Sequence, residues 1–327
     1  GLADAFRPNW VFAVNPHLSC SISSRKRCFG FNPRWHLLYR LLIPLLERQC
    51  DVSHVYSGPS PWPFSSALRR KPIVLTIVEP GEPDVSFLRK CRKIIVQTPE
   101  QRSRVLDTGI DAAKVELLFT PVDTTKYHNL QPRVLSDSPT ILFATSPRTS
   151  EEMEERGVNL MLEAAPNMPQ VVWRMLFRRW RCSDTAYETT ARLVAERRLS
   201  NIQLQHGNVV DMQSEYQAAD FTIIPFTRSD GGKPCPNSMA EGFASGLPVL
   251  ISSVSPMADF VRRNRCGAVF HPTASSFRDA FASACDDYCI LSRNSCEVAK
   301  TYFCQQTYFK RMAAIYNEVL EPNSTSS

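Results

Sequence analysis

The chain has 327 residues, 43% hydrophobic and 21% charged, with 38 Lys and Arg against 32 Asp and Glu and a formal net charge of +6. This is the composition of a soluble globular protein with room for two ordinary domains, and it excludes extensive disorder. The charge suits anionic ligands or an anionic membrane surface and falls short of a nucleic-acid signature, and no apolar run approaches the roughly 20 residues that span a bilayer.

Residues 1 to 33 carry little pattern beyond an apolar run at Trp10 to Val14, which predicts a strand, and the basic Arg25-Lys26-Arg27. From Trp35 to Arg48 the string WHLLYRLLIPLLER has helical apolar spacing and predicts an amphipathic helix, kinked or restarted at Pro44. Such a basic helix can lie on anionic lipid, but packing on a sheet is the expectation. Asp51 to Gly58 reads as a strand followed by a Gly/Pro/Ser loop with Trp62 and Phe64. Pro72 to Val78 and Lys93 to Gln97 read as buried parallel strands, Gln101 to Gly109 as a helix stopped by its glycine, and Val115 to Phe119 as a further strand. This alternation predicts a doubly wound half-domain. Polar residues from Tyr127 to Ser138, with Pro132 and Pro139 nearby, read as a linker.

A second α/β set opens at Pro139 with TILFATSP and reaches a helix start at Thr149-Ser150. Arg156-Gly157 leads into VNLMLEAA, and the strand Val171 to Phe177 ends in Arg178-Arg179-Trp180-Arg181. A helix with Tyr187 and Leu193, a strand at Ile202 to Gly207 and a short helix at Asp211 to Ala219 follow. Next comes an apolar run, Phe221 to Phe226, a Gly/Pro/Asp loop, a helix beginning at Asn237 or Ser238, a glycine stop at Gly246 and a second apolar run, Pro248 to Ile251. In open α/β sheets ligands lie beyond the carboxyl ends of strands, so the loop Thr227 to Pro236 is the expected ligand side. The helix start offers free N–H groups and the positive end of a dipole to a phosphate, and Lys233 adds a charge. Ser238-x-x-Glu241 is also a capping box, in which Glu241 only reaches back to its own helix start, and the tetrapeptide leaves both readings open. The remaining chain predicts two or three helices and a disordered tail. Its cysteines Cys285, Cys289, Cys296 and Cys304 are expected as buried thiols, and the eleven scattered cysteines without a C-x-x-C pair predict a reducing compartment.

The string P-N-S-x-x-E-G-x-A-x-G-x-P-V-L from Pro236 to Leu250 resembles the donor-nucleotide motif of retaining GT-B glycosyltransferases of the family-4, or group 1, type. The strings I-I-V-Q-T-P-E, G-I-D-x-x-K-V-E-L-L and Pro121-Val-Asp123 resemble the end of the amino-terminal domain in the same enzymes. The resemblance implies an α/β fold of GT-B architecture, with two Rossmann-like doubly wound domains facing a cleft. Residues 1–133 would form the acceptor-side domain and 134–306 the nucleotide-sugar domain, with 307–320 a helix crossing back and 321–327 the tail. It implies transfer of a hexosyl or related sugar from a nucleoside-diphosphate-sugar to a glycan, lipid-linked or small-molecule acceptor, with retention of anomeric configuration. No cofactor, no metal and no nucleic acid are expected, and the place is the cytoplasm, with peripheral membrane contact open. Without a metal, the departing diphosphate needs positive charge and N–H donors from the protein.

By the resemblance, Glu241 matches the second Glu of the family's Glu-x7-Glu motif, the acceptor for the ribose hydroxyls. Pro236, Asn237, Ser238 and Met239 match the loop and helix start whose main-chain N–H groups meet the diphosphate or the sugar. Arg156 falls on the Lys of the family's Lys-Gly pair, over the phosphates. The family's basic residue after the first strand of this domain matches Ser146, with Arg148 as its substitute, and Arg178 is a further donor-side candidate. Two departures bear on the reacting end. Lys233 stands where the motif's first Glu would meet the transferred sugar, which admits an anionic sugar or a phosphate. In the D-x-x-H-x-H strand pattern the site His comes second, whereas here His54 comes first and Tyr56 second, so His54 is expected in the core and Tyr56 as a hydrogen-bond partner of the sugar. Tyr56, Lys233 and Arg156 are thus the candidates for catalysis, in a mechanism where the leaving phosphate oxygen deprotonates the acceptor. A catalytically impaired nucleotide- or glycan-binding subunit and an epimerase on the same fold are the alternatives.

Overall fold

A computed structural model describes residues 11–13, 28–30, 36–60, 67–128, 133–180 and 184–321. The expected features at Arg25-Lys26-Arg27, Trp62, Phe64, Pro132, Arg181 and in the tail after Glu321 lie outside the described residues. The strands are β1 (Val11–Ala13), β2 (Cys28–Gly30), β3 (Ser53–Ser57), β4 (Ile73–Ile77), β5 (Lys93–Val96), β6 (Val115–Leu117), β7 (Thr140–Phe143), β8 (Val172–Phe177), β9 (Ile202–His206), β10 (Phe221–Ile224), β11 (Val249–Ser252) and β12 (Gly267–Phe270). The α-helices are α1 (His36–Leu46), α2 (Val85–Lys90), α3 (Pro99–Asp107), α4 (Ser150–Glu155), α5 (Val158–Ala164), α6 (Thr185–Glu196), α7 (Met212–Ala218), α8 (Asn237–Ala244), α9 (Ala258–Asn264), α10 (Ala274–Asp286), α11 (Tyr288–Val298) and α12 (Gln305–Leu320). The chain divides into two compact units, residues 1–118 with 306–327, and residues 119–305. The division after Leu118 falls ahead of the polar stretch that reads as a linker.

In the first unit β3, β4, β5 and β6 form a parallel sheet in that order. Their apolar runs do not alternate because both faces are covered, and Val74, Leu75, Ile94, Ile95 and Val96 are fully buried. One face carries Phe87, Leu88 and Val105 from α2 and α3, and the other packs Val74 and Ile95 on Tyr308, Met312, Ile315 and Val319 of α12. Helix α3 starts ahead of the expected Gln101, since Thr98 caps the Gln101 N–H and Pro99 occupies the first turn, where a missing N–H costs nothing.

Helix α1 runs through Pro44 instead of restarting there. The proline lies in the last turn, so it removes only the bond to the Arg40 carbonyl. The expected packing of this helix is met in part: Ile43 is buried, while Leu41, Leu42 and Leu45 are 71%, 38% and 52% exposed.

The second unit holds the order β12-β11-β10-β7-β8-β9, all parallel. The chain leaves β7 towards β8 and β9 and then returns to β10 on the other side. Strand order therefore reverses between β7 and β10, and the crevice beyond their carboxyl ends is where a ligand fits such a sheet. Trp173, Met175, Phe177, Phe221 and Ile223 fill the core beneath it. The cysteines expected as buried are a correction: Cys289 is exposed, and Cys285, Cys296 and Cys304 are half-buried. Among the described residues no His, Cys, Asp and Glu group could hold a metal, and no helix is long and apolar enough to cross a membrane.

Candidate functional site

The crevice between β7 and β10 is bordered by the two loops that leave these strands. After β10 the chain folds back on α4, with the Thr227 N–H donating to the Glu155 carbonyl at 2.9 Å and its hydroxyl to the Glu154 carbonyl at 3.1 Å. Gly157, between α4 and α5, has φ +73°, and a Cβ there would stand 1.9 Å from the Pro225 carbonyl oxygen. Only glycine meets both demands. Arg156 is thereby seated against the end of β10. The far end of the loop is held by Thr120, whose hydroxyl donates to the Cys235 carbonyl at 3.0 Å.

Helix α8 opens with Pro236 in the N-cap position and no side-chain cap. By helix geometry the N–H groups of Asn237, Ser238 and Met239 have no intrahelical acceptor. Ser238 lies buried inside the first turn, and its hydroxyl has no partner among the described residues. Glu241 does not close a capping box, because the N-cap position is proline; its carboxylate instead accepts the Tyr216 hydroxyl at 2.8 Å. Burial pushes the Glu241 carboxyl up, while the Tyr216 bond, Lys126 and Lys233 pull the other way. An acceptor-only group in that setting gains from hydroxyl donors of a ligand. The helix ends as expected at Gly246, with φ +76° and bonds from Gly246 N–H to Phe243 and Leu247 N–H to Gly242 at 3.0 and 2.9 Å. Lys233 is exposed in the loop ahead of α8, with its Nζ 3.5 Å from Asn237 Oδ1.

The loop after β7 carries the second half of the site. Arg156 Nη1 donates to the carbonyls of Thr145 and Ser146, both at 3.2 Å. Among the described residues its buried Nε has no partner, nor has the Thr145 hydroxyl. Burial lowers the Arg156 pKa, and Glu152, 3.8 Å away, opposes that shift. Buried polar atoms are normally paired, so Thr145 Oγ1, Arg156 Nε and Ser238 Oγ are open to a further polar partner. Arg148 is bound to Glu152 through its N–H at 2.8 Å and its Nε at 2.7 Å. The guanidinium groups of Arg148 and Arg178 lie 5.6 and 5.5 Å from the Trp180 ring. Ser146 accepts from the Arg178 N–H at 2.9 Å and from the Trp180 indole at 3.3 Å.

Of the predicted residues, Arg156 stands between α4 and α5 against the loop after β7, Lys233 in the loop after β10, and Pro236, Asn237, Ser238, Met239 and Glu241 in the first turns of α8, while Arg148 and Arg178 lie over Trp180. Tyr56 belongs to the other unit, on β3, where its half-exposed ring stacks on His54 at 4.3 Å. His54 Nδ1 and Nε2 lie 2.6 and 2.7 Å from the hydroxyls of Tyr316 and Thr76, and burial lowers its pKa to about 3. Burial and the neighbouring Tyr308 raise the Tyr56 phenol. Two residues apart on a strand, His54 and Tyr56 share the face turned to α12. Sequence reasoning missed Glu152 and Tyr216. The spacing Arg148, Glu152, Arg156 by fours was visible as a charge pattern, whereas nothing local links Tyr216 to Glu241.

Residues 138–287 match the family model described as glycosyl transferases group 1. No curated protein matches the chain in sequence. Among solved structures, a glycosyltransferase from Rickettsia africae ESF-5 is similar, at 16% identity and a TM-score of 0.76, over 96% of this chain and 90% of that one. Sucrose-phosphate synthase from Thermosynechococcus elongatus follows at 16% identity and 0.75, over 97% and 91%. HepE of Anabaena in complex with UDP has 14% identity and 0.75, over 97% and 94%. At these identities the likeness is one of fold.

Proposed function

We propose that this chain, a GT-B protein by fold, is a glycosyltransferase that moves a sugar from a nucleoside-diphosphate-sugar to an acceptor, with retention of anomeric configuration and without a metal in the site. The observation that carries the reading is a half-buried carboxylate, Glu241, held by the Tyr216 hydroxyl one turn behind a helix start with no side-chain cap. In this reading Glu241 takes the two ribose hydroxyls, and the N–H groups of Asn237, Ser238 and Met239 with Arg156 take the diphosphate. These donors are fixed by the fold before the bond breaks, so they stabilise the charge that develops on the leaving diphosphate without reorganising. That phosphate oxygen then receives the acceptor's proton. HepE has been seen with UDP and with UDP-glucose, which supports a uridine donor here.

Calorimetric titration with UDP, GDP and ADP and their sugar conjugates tests the reading. One diphosphate is expected to bind, and Glu241→Ala is expected to weaken it by about 1.5–3 kcal/mol, one charge-assisted contact. Unchanged affinity in the variant would remove Glu241 from the site. A second reading, a nucleotide-binding subunit without transferase activity, is favoured by the engagement of His54 and Tyr56 with α12. Donor binding without turnover on any acceptor supports it.

A further inference from the structure

We infer that the sugar on the donor is acidic and that Lys233 binds its carboxylate; this rests on the donor site proposed above. Glu241, the open N–H groups and Lys233 follow one another along the chain, the first inside α8, the second at its start and the third in the loop ahead of it. A nucleoside-diphosphate-sugar laid with its ribose on Glu241 and its diphosphate on the helix start extends its sugar towards that loop.

The loop's side chains decide what such a sugar must offer. Thr227 is committed to the carbonyls of Glu154 and Glu155. Arg228 and Asp230 neutralise each other through two bonds at 3.0 and 3.1 Å. Cys235 is fully buried. Lys233 remains exposed, forms no salt bridge among the described residues, has its Nζ 3.5 Å from the side-chain oxygen of Asn237, and acts on the Glu241 carboxyl only through its charge. A neutral hexose presents hydroxyls, which are read best by groups that accept as well as donate. An ammonium has three donors and no acceptor, so it pairs with an acceptor-only group. The two ends of the site are therefore opposites: the Glu241 carboxylate suits hydroxyl donors, and the Lys233 ammonium suits an anion. The phosphates already have Arg156 and three N–H groups, so a sugar carboxylate is the anion left for Lys233.

The test is titration of wild type, Lys233→Met and Lys233→Glu with two series, UDP, UDP-glucose and UDP-glucuronate, and GDP, GDP-mannose and GDP-mannuronate. Within the series that binds, wild type is expected to hold the uronate at least about 10-fold tighter than the neutral sugar, the size of one charge-assisted contact. Lys233→Met is expected to bring the two within about 2-fold while the bare diphosphate binds as before, and Lys233→Glu to reverse the order. An equal loss for diphosphate, neutral sugar and uronate in Lys233→Met places the ammonium on the phosphates and overturns the inference. So does a wild type that binds the diphosphate but does not distinguish the two sugars. Failure of folded wild type to bind any diphosphate overturns the donor site itself, an outcome distinct from the other two.

Discussion

The imidazole of His54 sits between the hydroxyls of Tyr316 and Thr76, at 2.6 and 2.7 Å, with the Tyr56 ring stacked over it. A neutral ring satisfies both neighbours, accepting from one hydroxyl and donating to the other, whereas a charged ring there loses its hydration. Burial accordingly lowers its pKa from 6.5 to about 3. Between those values the unfolded chain binds the proton and the folded one does not, so stability rises with pH; the contribution is complete above 6.5 and is lost as pH falls towards 3. From pH 7 to pH 5 this group should cost the first unit about 2 kcal/mol, at about 1.4 kcal/mol per pH unit below 6.5. Urea unfolding of wild type and His54→Gln at the two pH values checks this: the variant is expected to lack that part of the slope, and equal slopes would exclude His54 as its source. Glu241 is the mirror case, a carboxyl raised by burial, against which the Tyr216 hydroxyl pulls.

At the level of elements, the junction of α4 and α5 matters because it docks on the end of β10. Gly157 combines φ +73° with a Cβ position 1.9 Å from the Pro225 carbonyl oxygen, whereas Gly109, after α3, has φ +78° and nothing within 4 Å. Gly109→Ala therefore pays only the left-handed backbone penalty, about 1–2 kcal/mol. Gly157→Ala must also push the β10 loop away, for a loss of about 3 kcal/mol or more. Because Arg156 and the loop leading to α8 move with it, nucleotide affinity is expected to fall in Gly157→Ala and to hold in Gly109→Ala. Denaturant unfolding and calorimetry on the two variants read both effects, and a Gly157→Ala protein of wild-type affinity would show that this docking does not set the site.

Across the whole molecule the chain builds β3 to β6, completes the second unit and only then supplies α12 to the first. Val74 and Ile95 of the first sheet are covered by Tyr308, Met312, Ile315 and Val319. The first core is thus closed by the last helix, a contact of long sequence separation that is costly to form early in folding. Met312 is fully buried, and Met312→Ala is expected to cost the first unit about 2–5 kcal/mol. The proposed nucleotide site lies wholly in residues 119–305, so its affinity is expected to stay within about 2-fold, an additivity expected of distant sites. Loss of nucleotide binding together with stability in this variant would show that the two units are coupled.

What the sequence determined by itself was whatever local chemistry can encode. Unbroken apolar runs announced the parallel strands, Gly109 and Gly246 marked helix ends, and the string from Pro236 to Leu250 with Arg156-Gly157 and Lys233 carried the candidate donor site. Tertiary structure alone excluded the capping box at Glu241, because α8 begins with Pro236 at its N-cap, and brought the Tyr216 hydroxyl to that carboxylate. It alone joined Arg156 to the β10 loop, locked His54 against Tyr316, and left Leu41 and Leu45 exposed on a helix whose spacing predicted packing. Hydrophobic period and backbone preference act over a few residues and report burial and local geometry. Which side chains meet is set by strand order, here the reversal between β7 and β10, and that order is a property of the folded sheet.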